Sequence, residues 1–312
     1  MNESLKFFNQ IIDNKLVKPL GAVNQIEMDL DKLCSTNLNK LKIGFFNCGH
    51  RFERIIKYLK NYNNSFFPDI ICLIDIFPGD FNKYKKNNMN NNNIFILNDL
   101  VSYKCYLTFN GDHEERMILI NRHSINKAYS FNKCFNYENE IIINNGKLKF
   151  IHGHNPNDES FKNPEIDIKE KCLDRLYKAI GDSDIAFGDF NQNLMLLDDN
   201  YINQENNIEA KYVKEFKNTI ENKGYIFNRI NNTNRHSFKN TANNFTYIAR
   251  DLRNEDEVNN YKKDENNNFI IKELDYIITN NKLNISDIFY DGVGIKDIGS
   301  DHVYFEFVVD LI

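Results

Sequence analysis

Three short stretches constrain this chain most: Asp184-Ile-Ala-Phe-Gly-Asp-Phe-Asn191, Leu274-Asp275-Tyr276 and Ser300-Asp301-His302. In each, polar or acidic residues stand where an apolar run ends or begins. The run 184–187 is too short for a core helix and reads as a strand covered on both faces. A polar tail on such a strand sits where a rigid scaffold can aim side chains into one cleft. Taken singly, Asp-Phe-Asn also suits a turn and Ser-Asp-His a helix cap. As a set, they ask for a fold whose strand ends converge.

The rest of the chain supplies such a scaffold. Leu41-Lys-Ile-Gly-Phe-Phe-Asn47 reads as a strand ending in a polar residue, and Asp69-Ile-Ile-Cys-Leu-Ile-Asp75 as another. Between them, Phe52, Ile55, Ile56 and Leu59 recur at helical spacing. Strand-like runs follow at 103–109, 116–121, 139–143 and 147–152. A helix is expected over 168–180, with Ile168, Cys172, Leu176 and Ile180 in phase, and another over 210–222. Strands near 274–279 and 302–309 close the chain. Asn87–Asn93 is low-complexity and reads as a loop, as does the charged stretch 250–270. No repeat and no clean break in composition is visible, so 41–312 reads as one mixed α/β domain. Residues 1–40 form an N-terminal extension in which Phe7, Phe8, Ile11 and Ile12 mark one face of a short helix, expected to pack on that domain.

Composition narrows the class. Of 312 residues, 41% are hydrophobic, enough for a sizeable core. The net charge of -5 lacks the basic footprint of a dedicated duplex-binding protein, although a local basic cleft is compatible with it. Asn is so abundant, and Trp so completely absent, that a single Asn says little by itself. Cys34, Cys48, Cys72, Cys105, Cys134 and Cys172 are scattered without a CxxC pair, as expected of buried thiols in a reducing compartment. No apolar signal segment and no stretch of ~18 apolar residues is present. The expectation is a soluble, intracellular monomer without a membrane span.

The chemistry follows from the polar strand ends. Asp, Asn and His without a Cys/His set favour Mg²⁺ or Mn²⁺ over Zn²⁺. Mg²⁺ needs only one or two carboxylates and takes its other ligands from water and substrate phosphate.

In order along the chain, these stretches resemble the endonuclease/exonuclease/phosphatase superfamily, the group of deoxyribonuclease I and the exonuclease III-like nucleases. Leu41–Asn47 resembles its opening strand, Arg116-Met-Ile-Leu-Ile-Asn-Arg122-His-Ser-Ile125 its central strand, and Phe150-Ile-His-Gly-His154-Asn-Pro156 the strand ending in a catalytic His. Asp184–Asn191 matches the most distinctive stretch, and Leu274-Asp-Tyr276 and Gly299-Ser-Asp-His302 complete the set. The resemblance implies a four-layer α/β sandwich, with two packed mixed sheets flanked by helices. It implies that Asn47, Asp75 and Asp301 hold the divalent ion, Mg²⁺ or Mn²⁺. Asp189 would orient or deprotonate the attacking water and Asn191 bind the phosphate. His302, oriented by Asp275, would hydrogen-bond a phosphate oxygen, and His154 would be the second imidazole. His152 lies on the same strand face, but a Pro and a polar loop follow His154, as in the family pattern.

One departure stands out. The family places Gln-Glu after its second strand, with the Glu a principal metal ligand. Here Ile74-Asp75 stands there, and Asp75 is one methylene shorter. The implied activity is hydrolysis of phosphodiesters in DNA or RNA. Two alternatives remain: a phosphomonoesterase acting on a nucleotide, inositide or protein–nucleic-acid adduct, and a degenerate member that only binds a partner.

Overall fold

The computed structural model describes residues 40–49, 51–61, 68–76, 94–95, 103–110, 115–121, 128–133, 138–143, 146–154, 177, 180–181, 183–197, 208–228, 246–249, 261–267, 270–291 and 300–310. The expected N-terminal helix, the loop Asn87–Asn93 and most of the expected helix 168–180 lie outside them; of that helix, Tyr177 and Ile180 are described and helical.

Two sheets carry the structure. The first uses β1 (Lys40–Asn47), β2 (Ile70–Ile76), β3 (Ile94–Phe95), β4 (Tyr103–Asn110) and β5 (Glu115–Asn121), together with the late strands β14 (Asn284–Asp291) and β15 (Tyr304–Asp310). Their order across the sheet is β14-β15-β1-β2-β5-β4-β3. The second contains β6 (Ala128–Lys133), β7 (Glu138–Ile143), β8 (Gly146–His154), β9 (Ile185–Asp189), β10 (Tyr225–Asn228) and β13 (Asp275–Asn280), in the order β10-β13-β9-β8-β7-β6. A short ladder of β11 (Tyr247–Ile248) and β12 (Ile271–Lys272) stands apart. Helices α1 (Phe52–Asn61) and α2 (Ile208–Asn222) complete the described elements used here.

The sheets pack face to face. Leu41, Ile43 and Phe45 of β1, Ile70, Cys72 and Ile74 of β2, and Ile118 and Ile120 of β5 meet Ile185 and Phe187 of β9 and Ile277 of β13. Phe187 bridges the layers, its ring 6.0 Å from Phe45 and 5.2 Å from Phe307 of β15. The alternate residues of β9 and β13 face the other way. There Ala186, Tyr276 and Ile278 pack with Val213, Phe216 and Ile220 of α2. This two-sided burial is why 184–187 is a continuous apolar run rather than an alternating one. Phe52, Ile55 and Ile56 of α1 are buried as the helical spacing predicts. The layered α/β sandwich is therefore the architecture observed.

Topology positions the site. The parallel pairs β1/β2 and β8/β9 deliver Asn47 beside Ile74, and His154 beside Asp189, at their carboxyl ends. The antiparallel neighbours start where those strands stop: β13 opens with Asp275 opposite Asp189, and β15 begins just after His302. The polar strand ends Asn47, Asp189, Asp275 and His302 thus meet at one edge of the sandwich, with the His154 backbone beside Asp189. Strands β6, β10 and β14 were not anticipated. In β14 the cause is visible: Asn284, Ser286 and Asp287 interrupt the apolar pattern because the strand edges its sheet and is partly exposed. Within 250–270, Tyr261–Asn267 is mostly exposed, although Tyr261 also packs against the core. Among the described residues, no helix is long and apolar enough to cross a membrane.

Candidate active site

His302 is the centre of the site. It is buried, and its Nδ1 lies 2.7 Å from Asp275 Oδ2, while Nε2 lies 3.5 Å from Asp189 Oδ2. Burial alone would push its pKa down. The charges of Asp275 and Asp189, the hydrogen bond to Asp275 and the charge of Asp301 outweigh that and raise it from 6.5 to about 10. At neutral pH the ring is therefore an imidazolium, its Nδ1 hydrogen-bonded to Asp275 and its Nε2 near Asp189 without a hydrogen bond to it.

Asp189 is held from three sides. Asn47 Nδ2 donates to its Oδ2 at 3.1 Å, the backbone N–H of Asn191 donates to its Oδ1 at 2.9 Å, and His302 lies beyond Oδ2. The Asn191 bond closes a tight turn in which Asn191 adopts φ 50°, a left-handed conformation that Asn tolerates better than most residues. Asn47 contributes a contact of its own, as its Oδ1 accepts from the Gly49 backbone at 3.0 Å.

Residues the sequence analysis did not place in the site frame it. Thr246 Oγ1 accepts the N–H groups of Leu274 at 3.0 Å and Asp275 at 2.9 Å, fixing the start of β13. Ser300 Oγ donates to the Asn47 carbonyl at 3.0 Å and accepts the N–H of His302 at 3.1 Å, tying the last acidic turn to the end of β1. Tyr247 bridges to His302 through the backbone, with ring centroids 5.0 Å apart. Burial, then Asp301 and Asp189, push its hydroxyl pKa up, so it stays a neutral donor. The signal for Thr246 and Tyr247 was present in Phe245-Thr246-Tyr247, but Thr and Tyr adjacent to a strand carry no periodicity that separates packing from a site.

The remaining expected residues are placed as follows. Asp301 is half-buried beside Gly49, where a Cβ added at Gly49 would sit 2.8 Å from its Oδ1. His154 ends β8 opposite Asp189, and His152 lies opposite Phe187, one step into the sheet, so the backbone register puts His154 nearer the site. Asp75 is one residue past Ile74, the partner of Asn47, and takes φ 54°. Ile74 is fully buried in the core between the sheets. His50, His113, His123 and His236 lie outside the described residues.

Gly49, with φ 47°, is the tightest point of the turn after β1. Gly49→Ala is expected to strain that turn and displace the Asp301 carboxylate. Destabilisation should be modest, about 1–2 kcal/mol. If hydrolysis and thermal stability were both unchanged, the contact with Asp301 would have no consequence.

The carboxylates of this site suit a divalent cation, whereas His302, as an imidazolium, has no free ring nitrogen to coordinate one. Ligand atoms of Asp189, Asp275 and His302 lie within 4.8 Å of one another, close to the expected metal residues Asn47 and Asp301. Asp275 Oδ1 is buried without a hydrogen-bond partner, which is costly unless a cation or water satisfies it. Three carboxylates, those of Asp189, Asp275 and Asp301, surround one imidazolium, so the cluster carries net negative charge.

Comparison with known proteins places the fold. No protein-family model and no curated protein matches the chain. Solved structures do. A 3′ phosphatase NExo from Neisseria bound to product DNA hairpin is 13% identical, with a TM-score of 0.53, over 86% of this chain and 98% of that one. TDP2 of D. rerio complexed with single strand DNA product is 14% identical, with a TM-score of 0.50, over 86% and 98%. The 3′-5′ exonuclease NExo from Neisseria meningitidis is 12% identical, with a TM-score of 0.51, over the same shares. These proteins share the DNase I-like fold of the endonuclease/exonuclease/phosphatase superfamily, and this chain has that fold.

Proposed function

We infer that the chain is a Mg²⁺- or Mn²⁺-dependent phosphoesterase acting on phosphodiester bonds of nucleic acid. The observation that carries this is His302, held as an imidazolium between Asp275 and Asp189 at the joined ends of two sheets. In-line attack on a phosphodiester builds charge on the non-bridging oxygens. A buried cation pre-aimed by a carboxylate stabilises that charge without reorganisation. Asp275 orients the ring through Nδ1, leaving Nε2 to face the reacting phosphate. Asp189, an acceptor from Asn47 and Asn191, would orient the attacking water and take its proton. The Asn191 amide faces the phosphate, and His154 is the second imidazole. Asn47, Asp75 and Asp301 would hold the metal ion, which supplies further charge neutralisation when bound. The likeness to a 3′ phosphatase supports a second reading, removal of a terminal phosphate, by the same residues.

The test is incubation with plasmid, single-stranded DNA, RNA and 3′-phosphorylated oligonucleotides, each with Mg²⁺, Mn²⁺ or EDTA. Cleavage of a nucleic-acid substrate that EDTA abolishes is expected. Full hydrolysis in EDTA would show that the metal assignment is wrong, and no hydrolysis of any substrate with either ion would remove the enzymatic reading. Because Mn²⁺ is generally bound more tightly than Mg²⁺ by a given site, Mn²⁺ is expected to support the faster rate at low metal concentration.

A further inference from the structure

The segment that leads into Asp275 is held by side chains rather than by a neighbouring strand. Regular pairing of β9 with β13 runs only as far as Asp189 opposite Asp275. Past that point the chain after β9 turns away through Asn191, at φ 50°. The two segments stay joined nonetheless. Phe190 N–H donates to the Leu274 carbonyl at 3.0 Å, and Leu194 N–H to the Glu273 carbonyl at 3.1 Å. The return bond ends on a side chain, as Asn193 Oδ1 accepts the N–H of Glu273 at 3.1 Å. Thr246 Oγ1 takes the N–H groups of Leu274 and Asp275. The backbone donors of Glu273, Leu274 and Asp275 therefore all end on side-chain oxygens.

Asn193 also has a local task. The same Oδ1 accepts the N–H of Met195 at 3.3 Å and caps the 3₁₀ turn Leu194–Leu197. One bond suffices for that. The bond to Glu273 spans 80 positions and serves no helix. Its near end is rigid: Met195 is buried in the layer between the sheets, and Leu194 and Leu196 in the layer against α2. Its far end is Glu273, fully buried just before Asp275. Without the Asn193 oxygen, that N–H has little access to water in exchange, and a buried donor left unmade drives the backbone to shift. Asn193 itself is only 7% exposed.

We propose that Asn193 is a positioning residue for the Asp275–His302 pair. Its carboxamide oxygen ties the segment before Asp275 to the turn that carries Asp189 and Asn191. It thereby sets the spacing of the two carboxylates that flank the His302 ring, at 2.7 Å from Nδ1 and 3.5 Å from Nε2. The effect on turnover rests on the function proposed above; the link itself does not.

The experiment has two arms on the full chain. The first needs no activity. In EDTA, the proton between His302 Nδ1 and Asp275 is expected to give a low-field NMR resonance in wild type, identified by its absence from His302→Ala. Asn193→Ala is expected to shift or abolish it, and Asn193→Asp, which keeps an acceptor oxygen in place, to restore it. No such resonance in wild type, an unchanged one in Asn193→Ala, or equal loss in Asn193→Asp overturns the proposal. The second arm is kinetic, on the nucleic-acid substrate that wild type cleaves best, at a temperature where the variants are folded. A misplacement of about 1 Å can cost about 10²-fold, and Thr246 still holds Asp275, so kcat of Asn193→Ala is expected to fall by about tenfold with KM little changed. Placed on Asp275→Asn, the same change should lower kcat by less than about twofold. An unchanged kcat in Asn193→Ala, or an equal fall in both backgrounds, overturns the positioning role. If Asn193→Ala does not fold, Asn193→Ser replaces it in both arms, its shorter side chain withdrawing the oxygen from Glu273. If the wild type hydrolyses nothing, the proposed function fails, while the first arm still decides the link.

Discussion

Replacing His302 with Ala is expected to lower the turnover of a nucleic-acid substrate by about 10²–10³-fold, the range seen when a preorganised donor to a developing oxyanion is removed. The expectation rests on position and charge together. The ring is locked by Asp275 at 2.7 Å and sits 3.5 Å from Asp189, so little ordering is left to do during reaction. Its pKa of about 10 keeps it charged across the neutral range. Asp275→Asn should be milder than His302→Ala, because the ring remains but loses the carboxylate that orients it. The same charge makes a prediction about stability in metal-free protein. The folded-state value lies above the unfolded value of 6.5, so the ring's contribution is complete below about pH 6.5 and is lost as pH rises through 10. The difference in thermal midpoint between wild type and His302→Ala, measured in EDTA, should therefore shrink from pH 6 to pH 10. A constant difference would show that His302 is not held as a cation.

The largest effect on stability is expected at Phe187. It is fully buried between the two sheets, against Phe45 and Phe307. Phe187→Ala removes the ring from a layer that both sheets share and leaves a cavity that neither can close without shifting the other. The expected cost is about 3–5 kcal/mol. Urea unfolding should show a lower midpoint with an unchanged slope, the sign of lost stability rather than a changed unfolded state. Phe187→Leu should recover much of the loss. Ile226→Ala provides the contrast, since Ile226 on edge strand β10 is 49% exposed and should change stability by less than about 0.5 kcal/mol. Comparable losses at Phe187 and Ile226 would mean that the inter-sheet layer is not where the fold's stability resides.

Much of this molecule was legible before any coordinates. Ile-Ala-Phe-Gly followed by Asp189 and Asn191 reads as a doubly covered strand with a polar end, because burial on both faces demands a continuous apolar run. The spacing of Phe52, Ile55 and Ile56 gives a helix for an equally local reason. Local pattern, however, does not say which strands become neighbours. That Asn47 reaches Asp189 across 142 positions, or that Ser300 fastens His302 to the end of β1, depends on pairings made by residues far apart in the chain. Those pairings are chosen by the summed burial of both sheets rather than by any one segment. The same holds for the supporting hydroxyl of Thr246.

Asp75 shows the division most clearly. Its sequence says only that a carboxylate stands where a longer one is expected. The ladder decides the rest: two residues of β2 occupy the space of one on β5, and the extra length is absorbed by turning Asp75 left-handed, opposite a buried Arg116. The sequence by itself determined the central strands and their polar ends, since these follow from periodicity and side-chain type. Tertiary structure alone decided register, bulges and the charge on His302, since each depends on groups that only folding brings within a few ångströms.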